Sequence, residues 1–174
     1  MGKHLKMYPL IMIILVSMFI GFTEMFSVMK PIYASTPSIP VVQVYPSFVN
    51  VGVGESFTVA IIGLNLSNLY GFDIEFTWDP EILEYVRHNV TCPVENYPAP
   101  NPPSPYGGVL HNPIIEVKNI VNASGNIQDA RYPETRAWIS YASMYPAQPQ
   151  DGNVTFFTIT FKVLKTGESP LRIL

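Results

Sequence analysis

Five carboxylates, Asp73, Glu75, Asp79, Glu81 and Glu84, follow one another closely, and no basic side chain interrupts them before Arg87. Carboxylates act as general acid and base when held at a set separation, and a calcium site needs several oxygens converging on one point. This spacing imposes neither geometry, so the cluster reads as a solvated outer face followed by a turn, with partner recognition by that face as its functional use. His88 and His111, the histidines outside the N-terminal segment, sit in no metal or nucleophile motif. Gly-x-Ser-x-Gly, a phosphate-binding glycine loop and His-Glu-x-x-His are all missing. The expectation is a protein that is not an enzyme and uses no metal or cofactor. Cys92 is the one cysteine, so no internal disulfide can form, and its place beside Pro93 suggests a loop thiol.

Aromatic rings offer a different chemistry, since a flat ring covers the apolar face of a sugar while polar neighbours bind its hydroxyls. Trp138, Tyr106 and Tyr145 are the candidates for direct carbohydrate binding, and Tyr97 and Tyr132 lie in similar proline-containing stretches. Trp138 stands opposite Ile139 and Tyr141 on a strand whose two faces are both fairly apolar, whereas Trp78 is expected in the core. Asn65, Asn89, Asn122 and Asn153 each begin an Asn-x-Ser/Thr sequon and are candidate glycosylation sites.

The elements that must position these residues are strands. Phe72, Ile74, Phe76 and Trp78 alternate with Asp73, Glu75 and Thr77, and a period of two places the four large apolar side chains on one face. Asp79-Pro80 stops that strand, because proline lacks the N–H a ladder requires. Val41–Tyr45 reads as an edge strand closed by Pro46, Val51–Glu55 as a glycine turn, and Ser56–Leu64 as a strand with Phe57, Val59 and Ile61 on one face. Asn65–Asn68 should turn the chain into the 72–78 strand. Glu81–Val90 suggests one helical turn and then a strand. Six prolines between Thr91 and Gly108 predict a loop stiffened locally into polyproline II, of the kind that is usually functional or mobile.

Further strands are predicted over 114–121 and 136–144, and over 154–164 with Phe157, Ile159, Phe161 and Val163 facing one way. Thr166-Gly167-Glu168 then turns the chain into Leu171–Leu174. Short strands separated by Gly, Pro and Asn turns predict an all-β, antiparallel sandwich of the jelly-roll kind. The last apolar run stops in mid-strand, which suggests that the sandwich is incomplete at its C-terminal end.

Lys3, His4 and Lys6 precede the apolar run 10–20, the layout of a secretory signal with cleavage expected after Ala34; the alternative is an N-terminal anchor. Gly21 and Glu24 cut the run short of the roughly 20 apolar residues a spanning helix needs. Residues 35–40 then form a linker, and 41–174 the sandwich. Beyond residue 34 the chain keeps seven Lys or Arg against twelve Asp or Glu, since Lys3, Lys6, Lys30 and Glu24 lie before it. Nucleic acid is thus not an expected partner, and membrane contact is expected only through the N-terminal segment. An extracellular or cell-surface location follows.

Two blocks of the chain together resemble the cohesin domain. The first is Val51-x-Val53-Gly54-Glu55-x-Phe57-Thr58-Val59 with Leu69 through Pro80, Ile82 and Leu83; the second runs from Gly152-Asn153 through Ile159–Val163 to Gly167, Ser169, Pro170 and Leu171. The resemblance covers about half of the exported chain and leaves Thr91–Gln150 unaligned. It implies a nine-stranded jelly-roll sandwich of the cohesin and cellulose-binding-module superfamily. It also implies a non-catalytic module that binds a dockerin on one exposed sheet face, in polysaccharide degradation or cell-surface attachment. In that family an Asn and an Asp two residues apart contribute to the contact; here the Asp falls on Asp73 and the Asn position is Gly71. Gly71, Asp73 and Glu75 are therefore the expected partner-binding residues. Polysaccharide binding by the exposed aromatics and a structural surface-layer role are the alternatives.

Overall fold

The computed structural model describes residues 39–100 and 102–174. The expected signal segment, its cleavage site and most of the linker lie outside the described residues. Within them the chain forms eight strands: β1 (Val41–Tyr45), β2 (Ser56–Leu69), β3 (Gly71–Thr77), β4 (Leu83–Val90), β5 (Ile114–Val121), β6 (Ala137–Ser143), β7 (Gln150–Val163) and β8 (Arg172–Ile173). They pair antiparallel into two four-stranded sheets, β1-β2-β7-β4 and β5-β6-β3-β8. This is the expected all-β sandwich, with eight strands among the described residues rather than nine.

Alternation explains the core. Phe72, Ile74, Phe76 and Trp78 all point inward, and Phe76 is fully buried. They meet Val59 and Ile61 of β2 and Phe157, Ile159 and Phe161 of β7 from the other sheet. Trp78 lies 5.1 Å from Phe161 and Phe72 lies 4.9 Å from Phe156, ring centre to ring centre. Fully burying each such ring contributes on the order of 2–3 kcal/mol. β1 is the edge strand expected, and Leu83 N donates to Asp79 O at 2.9 Å, which supplies the single turn before β4.

Two expectations are corrected. Asn65–Asn68 does not end β2: Asn65 and Asn68 take φ of 55° and 57°, and the strand continues to Leu69 through irregular pairing with β7. The side chains of Asn153 and Asp151 accept from their backbone N–H groups at 2.9 and 2.6 Å, which stabilises the left-handed residues in place of a regular ladder. β7 likewise begins at Gln150 and not Val154.

The proline-rich segment is the loop expected, with Pro93 at φ −76° and ψ 160°, and it is tied down by backbone hydrogen bonds. A 3₁₀ turn spans Val94–Asn96, Gly108 N donates to Tyr97 O at 2.8 Å, and Val109 N donates to Thr91 O at 2.9 Å. Thr155 N of β7 donates to Gly107 O at 2.7 Å, and Val109 and Leu110 are fully buried. The loop closes on its own backbone because a buried N–H or C=O without a partner is costly.

Candidate partner-binding face

The side of the β5-β6-β3-β8 sheet turned away from the core is built in rows. Antiparallel register aligns Ile115 with Ala142 and Gly71, Lys118 with Ser140 and Asp73, and Ile120 with Trp138 and Glu75. The inward positions of β3 and β6 are apolar, so the alternate positions, which carry the charges and Trp138, must face outward. A bulge between Glu116 and Lys118 keeps both ends of β5 in phase with β6: Glu116 turns toward Tyr141, and Lys118 toward the outer face.

Across this face runs a chain of contacts. Lys118 Nζ lies 4.8 Å from the centre of the Trp138 ring. Trp138 Nε1 donates to Asp73 Oδ1 at 2.5 Å, and Arg131 Nη2 lies 3.2 Å from Asp73 Oδ2. Arg131 Nε reaches Glu75 Oε1 at 2.7 Å. Both Asp73 oxygens are thus engaged, although the side chain remains 43% exposed.

Glu75 corrects an expectation: it is on the predicted side of β3 but is fully buried. The loop between β5 and β6 folds over it. Thr135 Oγ1 donates to Oε2 at 2.6 Å, and the backbone N–H groups of Arg131 and Tyr132 complete the shell. Burial pushes the Glu75 carboxyl up, but the hydrogen bonds from Thr135, Arg131 and Tyr132 outweigh it and hold the group below the ordinary range. Glu75 therefore fastens the loop that delivers Arg131 and is closed to direct contact. At Gly71 an added Cβ would lie 3.1 Å from Tyr141 O and 3.3 Å from Ala142 Cβ, so the close approach of β6 accounts for the missing side chain.

The other candidates are dispersed. Trp138 shares the face with Asp73, and Lys118 covers its ring. Tyr145 is 97% exposed in the turn after β6, while the Tyr106 carbonyl accepts from Thr155 Oγ1 of β7, in the opposite sheet. Asp79 caps its own turn through Glu81 N, Glu81 pairs with Lys165 at 2.8 Å, and Glu84 lies on β4. No group of three His, Cys, Asp or Glu that could hold a metal occurs among the described residues. His88 bridges Tyr85 and Asn119, and His111 pairs with Glu95 at 2.9 Å. Cys92 is a free, half-buried thiol in the loop after β4, and burial, with Glu116 nearby, pushes it up to about 11, far from a reactive thiolate.

Among the sequons Asn65, Asn89 and Asn153 are exposed, whereas the Asn122 side-chain amide donates to Asn126 O at 3.0 Å. Lys118 and Arg131 were not legible as site residues. Lys118 sits where a bulge breaks the period of two, and Arg131 lies in a loop between Gly125 and Pro133 with no periodicity at all.

No protein family and no curated protein matches the chain. Among solved structures it is similar to the second type II cohesin module from the adaptor ScaA scaffoldin of Acetivibrio cellulolyticus, at 15% identity over 77% of this chain and 69% of that one, with a TM-score of 0.49. A type II cohesin domain from the cellulosome of the same organism matches at 19% identity over 76% and 72% of the two chains, with a TM-score of 0.46. The sixth cohesin of its scaffoldin B, solved in complex with a mutant Cel5 dockerin, matches at 12% identity over 79% and 82%, with a TM-score of 0.47.

Proposed function

We propose that the chain is a non-catalytic, extracellular, cohesin-like binding module that captures a dockerin-type protein partner on the outer face of the β5-β6-β3-β8 sheet, within a system that degrades or attaches to polysaccharide. The observation that carries this reading is the composition of that face. Ile115 and Ile120 are 46% and 41% exposed beside the half-buried Trp138, and Lys118, Asp73 and Arg131 stand among them in fixed positions. Apolar and aromatic side chains beside a few oriented polar groups are the make-up of a protein interface. The order of the two sequence blocks, with the Asp73 strand and the Asp79-Pro80 turn in the first, adds the dockerin class.

The test is calorimetric titration of the chain with purified dockerin modules, with insoluble polysaccharide pull-down in parallel. The expected result is saturable binding to at least one dockerin, weakened about tenfold or more by Trp138→Ala, the change expected of an aromatic hot spot. Retention on polysaccharide with no dockerin bound would replace this reading with the carbohydrate one.

A further inference from the structure

On the proposed binding face both carboxylates are already engaged, while part of the cationic donor capacity is not. Asp73 accepts from Trp138 and is ion-paired with Arg131, and Glu75 accepts from Arg131, Tyr132 and Thr135. Lys118, by contrast, has no carboxylate within 4 Å among the described residues and rests on the Trp138 ring. Arg131 spends Nε on Glu75 and Nη2 on Asp73, yet its side chain is 55% exposed and its Nη1 group makes no bond to a described residue. The two cations stand at opposite ends of the Trp138–Asp73 pair, with Ile115 and Ile120 alongside on β5.

Resting on the protein-binding reading, we propose that Lys118 and Arg131 are the charged groups that recognise the partner. They would take a segment that presents carboxylate next to apolar side chains, while Asp73 holds Trp138 and Arg131 in place and does not meet the partner itself. Charge complementarity selects this occupant: the Lys118 ammonium and Arg131 Nη1, without acceptors among the described residues, call for an acidic ligand, and the exposed isoleucines call for apolar side chains beside it. An acidic partner is also the less expected choice for an acidic chain with a net charge of −3, so the local arrangement, not the overall charge, must make the selection.

The chain has two tryptophans, and Trp78 is buried, so the Trp138 indole N–H resonance can be followed separately in the full chain labelled with nitrogen-15. The probes are the acetylated, amidated peptide Leu-Ala-Ala-Glu and its Gln counterpart. At low salt the Glu peptide is expected to shift the Trp138 signal with an apparent Kd about fivefold below that of the Gln peptide, as for an exposed ion pair. The difference should shrink toward onefold at ~0.5 M salt, where the screening length is only a few ångströms. Lys118→Gln, which replaces the ammonium over Trp138 with a neutral amide, should reduce the discrimination, and Arg131→Lys should keep part of it.

Equal response to the two peptides, or discrimination that Lys118→Gln leaves unchanged, overturns the proposal. The binding reading fails separately. If no dockerin binds while the peptides are still discriminated, the face takes an acidic protein of another class and this inference stands. If a dockerin binds wild type and Lys118→Glu with the same Kd, the dockerin reading stands and this inference falls.

Discussion

Glu75 shows how one residue can be placed correctly and assigned wrongly. Period two puts it outward beside Asp73, but 0% exposure and four hydrogen bonds from the 131–135 loop make it a buried anchor. Glu75→Gln keeps an acceptor for Thr135 but loses the charge, and should destabilise the fold by ~2 kcal/mol in urea denaturation, the range for a hydrogen-bonded charged group. The pH dependence has a definite sign. The folded carboxyl titrates below its ordinary value of 4.5, so its stabilisation is fully present above that value and is lost as pH falls through the lower folded one. The stability gap between wild type and Glu75→Gln should therefore be constant near neutrality and close only below about pH 4.5, which denaturation curves across that window would reveal. An unchanged gap down to the acid transition would mean that the Glu75 hydrogen bonds do not favour the ionised form.

Among the elements, the proline-rich segment shows best what tertiary contacts add. Proline spacing predicts a loop, and that loop is drawn against β7 by Thr91 and Gly107 and by the Ser104 hydroxyl beside Thr155. Gly108 makes this closure feasible, for a Cβ there would lie 2.2 Å from Thr91 O and 2.8 Å from Tyr97 Cβ. The obstacle is largely backbone and cannot swing aside. Gly108→Ala is expected to destabilise by ~2 kcal/mol or more and to raise amide exchange at Val109 and Leu110. Gly54→Ala would instead test backbone strain alone, since φ is +87° and nothing lies within 4 Å of the added carbon.

Over the whole molecule, the two sheets are joined by their aromatic interior and, along one side, by a polar bridge. His88 of β4 meets Asn119 of β5 at 2.7 Å, Asn119 donates to Glu116, and Tyr141 donates to the same carboxylate. With Asn119 Oδ1 as acceptor, His88 Nε2 carries the hydrogen, and Nδ1 accepts from Tyr85. The core supplies more of the stability than this exposed bridge. Phe76→Ala, at a fully buried ring next to Trp78, should cost about 3–5 kcal/mol and lower the thermal midpoint, as calorimetry would record. An outer-face change such as Lys118→Gln should move that midpoint little, so loss of binding in that variant would not trace to unfolding.

The sequence by itself determined the class of fold, because alternation at 72–78 and 157–163 leaves an apolar face that only a second layer can cover. It also determined that Asp73 faces away from that core, while it leaves Trp138, on a strand with two apolar faces, open. Tertiary structure decided which residues meet there. The register of β6 between β3 and β5 sets Trp138 beside Asp73, a bulge turns Lys118 outward, and a loop without periodicity lays Arg131 across the sheet. Periodicity reports only the side of a strand on which a residue lies. Burial of Glu75 and delivery of Arg131 depend on contacts 56 residues apart in the chain, and no local pattern encodes contacts of that range.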